Sequence, residues 1–153
     1  MGLDMYLYAT KYESRSNWRN DERKGFYPEE LKSLEEDIWE RNFLSKHIKH
    51  QIGYWRKFNA LHNYIVKNFA DGVDDCREIY LYKEDIEKVL QVLKDAKNNK
   101  EKAPELLPTQ SGFFFGSTDY DEYYWDDVKY SIELFEKVLE LPDDYSIYYD
   151  ASW

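Results

Sequence analysis

The sequence predicts an α+β fold: a small mixed or antiparallel sheet, one layer thick, covered by about four helices. Short segments near both ends and in the middle carry strand-like alternation. Four longer stretches place apolar residues at helical spacing. Connections are short and no segment repeats, which fits helices packed on a single sheet. At 153 residues the chain has the size of one domain, 1–153, and can bury a core without staples.

Leu3, Met5 and Leu7 alternate with Asp4, Tyr6 and Tyr8, the pattern of a strand with one buried face. Residues 11 to 27 are polar and mixed in charge and read as a mobile loop. Pro28 followed by Glu29 and Glu30 is a helix start, because Pro fits the first turn and acids complement the dipole there. Leu31, Leu34 and Ile38 continue at helical spacing, and Gly53 marks a break. From 54 to 69, Trp55, Phe58, His62, Ile65 and Phe69 form one apolar stripe, with Arg56, Asn59 and Asn63 on a different face.

Turn chemistry follows in Ala70-Asp71-Gly72-Val73-Asp74-Asp75, then a short strand over 77–82. The next helix has Ile86, Val89, Leu90 and Leu93 in its stripe and runs into a linker with Pro104 and Pro108. The glycine-bracketed Phe113-Phe114-Phe115 is too short for a helix and reads as a strand or a tight buried loop. Thr118 with Asp121 resembles a capping box opening a helix to about residue 140, with Val128, Ile132, Phe135 and Leu139 inward. Residues 145 to 153 read as a terminal strand.

Composition excludes several functions. Thirty-one acids against 21 bases give a net charge of -10, which disfavours direct nucleic-acid binding because phosphates require Lys and Arg. The same charge would steer the chain toward a partner protein with a basic surface. No apolar run approaches the roughly 20 residues that span a bilayer, so no membrane partner is expected. The single Cys76 suits a reducing compartment, and the amino terminus lacks the pattern of a signal peptide, so the cytoplasm is the expected location. Aromatic content is high: 15 Tyr, eight Phe and five Trp make 18% of the chain. Tyr and Trp combine apolar area with a polar handle and serve both cores and recognition surfaces.

The candidates for chemistry are few. His47 and His50 are three apart, a spacing that binds metal on one helical face, but only Lys46 and Lys49 surround them. Asp71, Asp74 and Asp75 lack the spacing of a calcium loop. No metal and no cofactor is expected. His62 falls on an apolar stripe, where a hydrogen-bonded core histidine competes with a catalytic base. Cys76 follows Asp74 and Asp75, whose charge disfavours a thiolate, and a dyad with His62 requires the fold to join them. Phosphate-loop, dinucleotide, nucleophile-elbow and kinase signatures are missing, so a non-enzymatic role is favoured. The run Asp119-Tyr120-Asp121-Glu122-Tyr123-Tyr124-Trp125-Asp126-Asp127 has five acids, four aromatics and no base. Carboxylates presented beside rings can occupy a basic groove of a partner.

Several blocks resemble a family of small uncharacterised proteins encoded by phages and prophages. They are Met1-Gly-Leu-Asp-Met-Tyr-Leu7, Gly53-Tyr-Trp-Arg-Lys-Phe-Asn-Ala-Leu-His62, Asp71-Gly-Val-Asp-Asp-Cys76, the segment Leu107 to Tyr124 containing Gly112-Phe-Phe-Phe-Gly116, and Tyr149-Asp-Ala-Ser-Trp153. The resemblance implies expression inside a bacterial host and carries over no catalytic residue. Its polar positions nominate Arg56, Asn59, His62, Asp74, Asp75, Cys76, Ser117, Thr118, Asp119, Tyr120, Asp121, Glu122, Tyr123 and Tyr124 as binding candidates. The favoured expectation is an accessory factor that inhibits or modulates a host protein, such as an anti-phage defence enzyme, through an acidic, Tyr-rich surface. A pocket protein for a nucleotide-like ligand, built on Arg56, His62 and Asp75, is the first alternative; a virion or assembly component is the second.

Overall fold

A computed structural model describes residues 2–14, 27–33 and 45–153. In chain order the described elements begin with β1 (Asp4–Ser14), a 3-10 turn (Glu29–Leu31), β2 (Ser45–Arg56), α1 (Asn59–Phe69) and β3 (Ile79–Leu81). They continue with α2 (Lys83–Asn98), a second 3-10 turn (Lys100–Lys102), the short α3 (Ala103–Leu106), α4 (Glu122–Leu139) and β4 (Ser146–Ser152). The fold is α+β. Its strands form one open antiparallel sheet in the order β2-β1-β4-β3, so the last strand of the chain lies beside the first. Ile79 pairs with Tyr149, Tyr80 with Tyr148, and Leu81 with Ile147.

The backbone divides into two compact units, residues 1–9 with 50–153, and residues 10–49. Within the second, Lys46 pairs with Glu13 at 3.2 Å and the Tyr12 ring leans on His47 with centroids 5.0 Å apart. The first unit holds the core. There Leu3 and, through the alternation of β1, Met5, Leu7 and Ala9 are buried, and they join Ile79, Leu81, Ile147, Tyr149 and Ala151 from the other strands. Helices close this inner face with Leu61 and Ile65, then Val89 and Leu93, then Val128, Ile132 and Phe135. Lys94 and Glu136, 2.7 Å apart, link α2 to α4 at the surface.

Trp55 ties sheet to helix. Its ring stacks on Phe135 with centroids 6.0 Å apart, and its buried Nε1–H donates to Ser131 Oγ at 2.8 Å. Ser131 in turn donates to the Asp127 carbonyl one turn back, at 2.6 Å.

Several expectations are corrected. Residues 11–14 continue β1, while 15–26 lie outside the described residues. Pro28 precedes a 3-10 turn and Ser33 is helical, while Leu34 and Ile38 lie outside the described residues. His47 and His50, considered on a helical face, stand on β2 instead, where a spacing of three puts side chains on opposite faces. Gly53 is inside that strand. A Cβ there would come within 2.5 Å of Leu134 Cδ2 on α4, so the glycine permits close sheet–helix approach. The apolar stripe begins only at the helix proper: Trp55 and Arg56 belong to β2, and Phe58 precedes α1. Asp121, not Thr118, caps α4, its carboxylate accepting from the Tyr124 N–H at 3.1 Å.

Replacing Ser131 by Ala leaves the Trp55 indole N–H buried without an acceptor. The expected cost is about 2 kcal/mol of unfolding free energy, measured by urea denaturation. Ser131→Thr, which keeps the hydroxyl, should retain more than half of that.

Candidate functional site

The passage from β2 to α1 is made in two residues. Lys57 adopts a left-handed backbone (φ 61), and Phe58 (φ -77, ψ 68) forms an inverse γ-turn in which the Asn59 N–H reaches the Lys57 carbonyl at 2.9 Å. This sharp turn sets Lys57 and Asn59 beside the segment from Thr109 to Asp121. The Lys57 stem runs between Gly2 and Gly116: a Cβ on either would lie 2.8 or 3.0 Å from its carbons. Gly116 is also left-handed, with φ 83.

Asn59 is 2% exposed and uses its whole carboxamide. Its Nδ2 donates to the carbonyls of Phe115 and Ser117, both at 2.9 Å, and its Oδ1 accepts from the Gln110 N–H at 2.9 Å. The loop is closed further by Thr109, whose Oγ1 donates to the Thr118 carbonyl and whose N–H reaches Tyr120 Oη. Its tip is a turn in which the Phe115 N–H reaches the Gly112 carbonyl. The three phenylalanines therefore diverge: Phe115 is buried, Phe114 half-buried, and Phe113 is 95% exposed.

Between this loop, the β2–α1 turn and the start of α4 lies a cleft of about 380 Å³. Arg56, Lys57 and Asn59 line one part; Ser117, Asp119, Asp121, Asp126 and Asp127 line the rest, with Tyr123 and Tyr124. Tyr123 is 80% exposed, whereas the Tyr124 ring is buried and its hydroxyl donates to the Leu107 carbonyl at 2.8 Å. Burial drives the Tyr124 hydroxyl well above its ordinary value. Asp127 is pushed up to about 6 by burial and then by the charges of Asp126 and Asp121. Arg56 Nη1 also donates to Asp4 at 2.8 Å, beside the Tyr54 hydroxyl at 2.6 Å; the latter bond above all holds Asp4 below the usual carboxylate range.

The other sequence-nominated residues gather elsewhere. His62 is 1% exposed, with Nδ1 2.7 Å from Tyr149 Oη and Nε2 3.0 Å from Asp74 Oδ2. The Trp153 indole N–H donates to the other oxygen of Asp74 at 3.2 Å, and Phe115 stands edge-on to the imidazole. If Asp74 accepts the Nε2 proton, Nδ1 accepts from Tyr149, and every group is satisfied. Both nitrogens are thus engaged, which leaves neither to activate Cys76, an exposed residue with φ 59. Asp75 is held by Arg77 through two contacts of 2.7 Å. The recess beside this relay measures about 10 Å³, less than a ligand needs, so the relay locks α1 to β4 and the Asp74 turn.

Sequence reasoning thus nominated two sites as one. Arg56, Asn59, Ser117, Asp119, Asp121, Tyr123 and Tyr124 share the cleft, while His62, Asp74, Asp75 and Cys76 do not line it. Thr118, Tyr120 and Glu122 lie alongside without lining it. Lys57 was passed over because nothing in the sequence marks a left-handed lysine. Among the described residues no group of three His, Cys, Asp or Glu side chains is placed to hold a metal, and no helix is long and apolar enough to cross a membrane.

Asn59→Ala removes three hydrogen bonds to the loop at once; a loss of about 3 kcal/mol is expected in chemical denaturation, with faster amide exchange at Gln110. The raised Asp127 works in the opposite sense. It binds its proton more tightly folded than unfolded, so stability falls as pH rises from near 4 through about 6. Asp127→Asn should therefore stabilise the protein at pH 7.5 by about 1 kcal/mol, after allowance for solvent screening, and the gain should vanish near pH 4. No protein-family model matches the chain, and neither the curated proteins nor the solved structures contain a match.

Proposed function

We propose that this chain is a binding protein, and that the cleft accepts an arginine or lysine side chain from a basic surface of a partner protein. The observation that carries this reading is the charge of the cleft. Four carboxylates, Asp119, Asp121, Asp126 and Asp127, outnumber the cations Arg56 and Lys57, and Arg56 is already paired with Asp4. A phosphate-bearing ligand would meet repulsion there; a guanidinium or ammonium meets acceptors. The exposed ring of Tyr123 offers a face on which a cation can stack. A concave site of a few hundred Å³ with a few convergent polar groups is also the size that recognition of one side chain requires.

Two local costs support a functional rather than a structural reading. A non-glycine residue in the left-handed region, Lys57, and a carboxylate with a raised pKa, Asp127, both destabilise the fold and both line the same cleft. The resemblance of the sequence blocks to small phage and prophage proteins supports a host protein as the partner, bound by an accessory factor that inhibits or modulates it.

Asp119, Tyr123 and Asp126 are exposed, so an Asp119→Asn, Tyr123→Ala, Asp126→Asn variant should fold normally. Immobilised wild-type protein in bacterial lysate at about 0.1 M salt is expected to retain a basic protein that the variant retains at least tenfold less. Equal retention by both proteins would overturn the reading.

A further inference from the structure

The sheet has a second face. The residues that alternate with the buried ones point away from the helices, and tyrosine dominates them: Tyr6 and Tyr8 on β1, Tyr54 on β2, Tyr148 on β4 and Tyr80 on β3. None belongs to the buried cluster or packs against it. Several of the rings touch one another. Centroids are 6.1 Å apart for Tyr6 and Tyr8, 5.4 Å for Tyr6 and Tyr54, and 5.3 Å for the directly paired Tyr80 and Tyr148. Tyr54 and Tyr80 are 41% and 38% exposed, and Tyr6, Tyr8 and Tyr148 are half-buried. Cross-strand aromatic pairs do stabilise sheets. A face made only for solvent, however, is filled by Thr, Lys and Glu as readily, and rings exposed to this degree suit a contact surface.

This face runs into the cleft. Asp4 receives both the Tyr54 hydroxyl and the Arg56 guanidinium, and Arg56 lines the cleft with Lys57. The surface is continuous: the rings, with Asp4 on β1 and Asp150 on β4 on the same face, lead into the acidic cleft. We propose that the tyrosine face and the cleft form a single recognition surface for an extended basic segment of a partner protein. One arginine or lysine enters the cleft, and its neutral neighbours lie across Tyr54, Tyr6 and Tyr8. Charge complementarity selects this occupant. A single-stranded nucleic acid would also stack on the rings, but its phosphates would face the cleft carboxylates with few cations to neutralise them. Tyrosine hydroxyls can exchange hydrogen bonds with the peptide groups of an extended chain, and the rings lose little freedom on contact.

The proposal rests on the cleft reading above, and two probes separate them. The isotope-labelled full chain is titrated by NMR with N-acetyl-arginine amide, then with two nine-residue peptides carrying one arginine, at either end, and otherwise alternating serine and leucine. One of the peptides is expected to bind at least about tenfold more tightly than the amide and to shift the signals of Tyr6, Tyr8 and Tyr54. Tyr6→Thr with Tyr8→Thr keeps strand propensity and should abolish the peptide's advantage while leaving amide binding unchanged. If the pair does not fold, Tyr8→Thr alone reads the same effect. Amide binding with no added affinity for either peptide, or an advantage that survives the substitutions, overturns this proposal and leaves the cleft reading standing. An amide that does not bind overturns both.

Discussion

The buried carboxamide of Asn59 is the constraint on which the candidate site depends. The segment from Leu107 to Asp121 contains turns but no regular element, so its backbone groups cannot satisfy one another as a helix or ladder would. Asn59 supplies two donors and an acceptor to that segment from one buried position. Aspartate in its place would have no donors, and alanine no partners at all. One turn further along α1, His62 performs the same service for the Asp74 turn and β4. A single helical turn thus fixes two irregular segments on either side of it. The cleft inherits its shape from the first, and the second holds the end of the chain.

The cleft is maintained at a cost in stability that follows from where its carboxylates stand on α4. Asp121 and Glu122 occupy the helix start, where free N–H groups and the dipole welcome negative charge, and Asp121 caps the helix outright. Asp126 and Asp127 lie more than a turn beyond, outside that compensation. Asp127 is also half-buried against its neighbours, so its charged form is disfavoured. Lys57 adds a strained backbone at the opposite wall. A cation arriving in the cleft would relieve the first cost, because it supplies the counter-charge that the fold withholds. In this sense the binding energy of the proposed partner is stored in an unfavourable free state.

The degree to which the sequence foretold this arrangement varied with the range of the interaction. Helices α2 and α4 and strands β1 and β4 were legible because each presents its inward residues at a local period. Strand β2 was not. It lies at the sheet edge, and only near its end do Gly53 and Trp55 turn inward, so alternation is faint. Trp55, Phe58 and His62 then fell by coincidence at helical spacing across a strand, a turn and a helix. The cleft residues were legible by type, since acids beside tyrosines and an isolated Arg56 are unusual for a core. Their grouping was not, because Asn59 joins residues more than 50 positions apart, and no local pattern separates the cleft from the His62 relay. Nor could the sequence show that Tyr54, Tyr80 and Tyr148 share a face with Tyr6 and Tyr8, since that depends on pairing register.

Charge and tyrosine do different work in the proposed complex. A net charge of -10 and a cleft with four carboxylates act at a distance, drawing in a basic partner and orienting it, and salt weakens that attraction over roughly 8 Å at physiological ionic strength. Rings act only on contact, through apolar area that salt does not screen. The two therefore govern different stages: the carboxylates set how often the partner arrives, and the tyrosines set how long it stays. An acidic surface alone would bind many basic proteins briefly. A tyrosine face alone would wait for chance encounter. Their junction at the Tyr54–Asp4–Arg56 contact, where the sheet face meets the cleft, joins selection by charge to retention by shape.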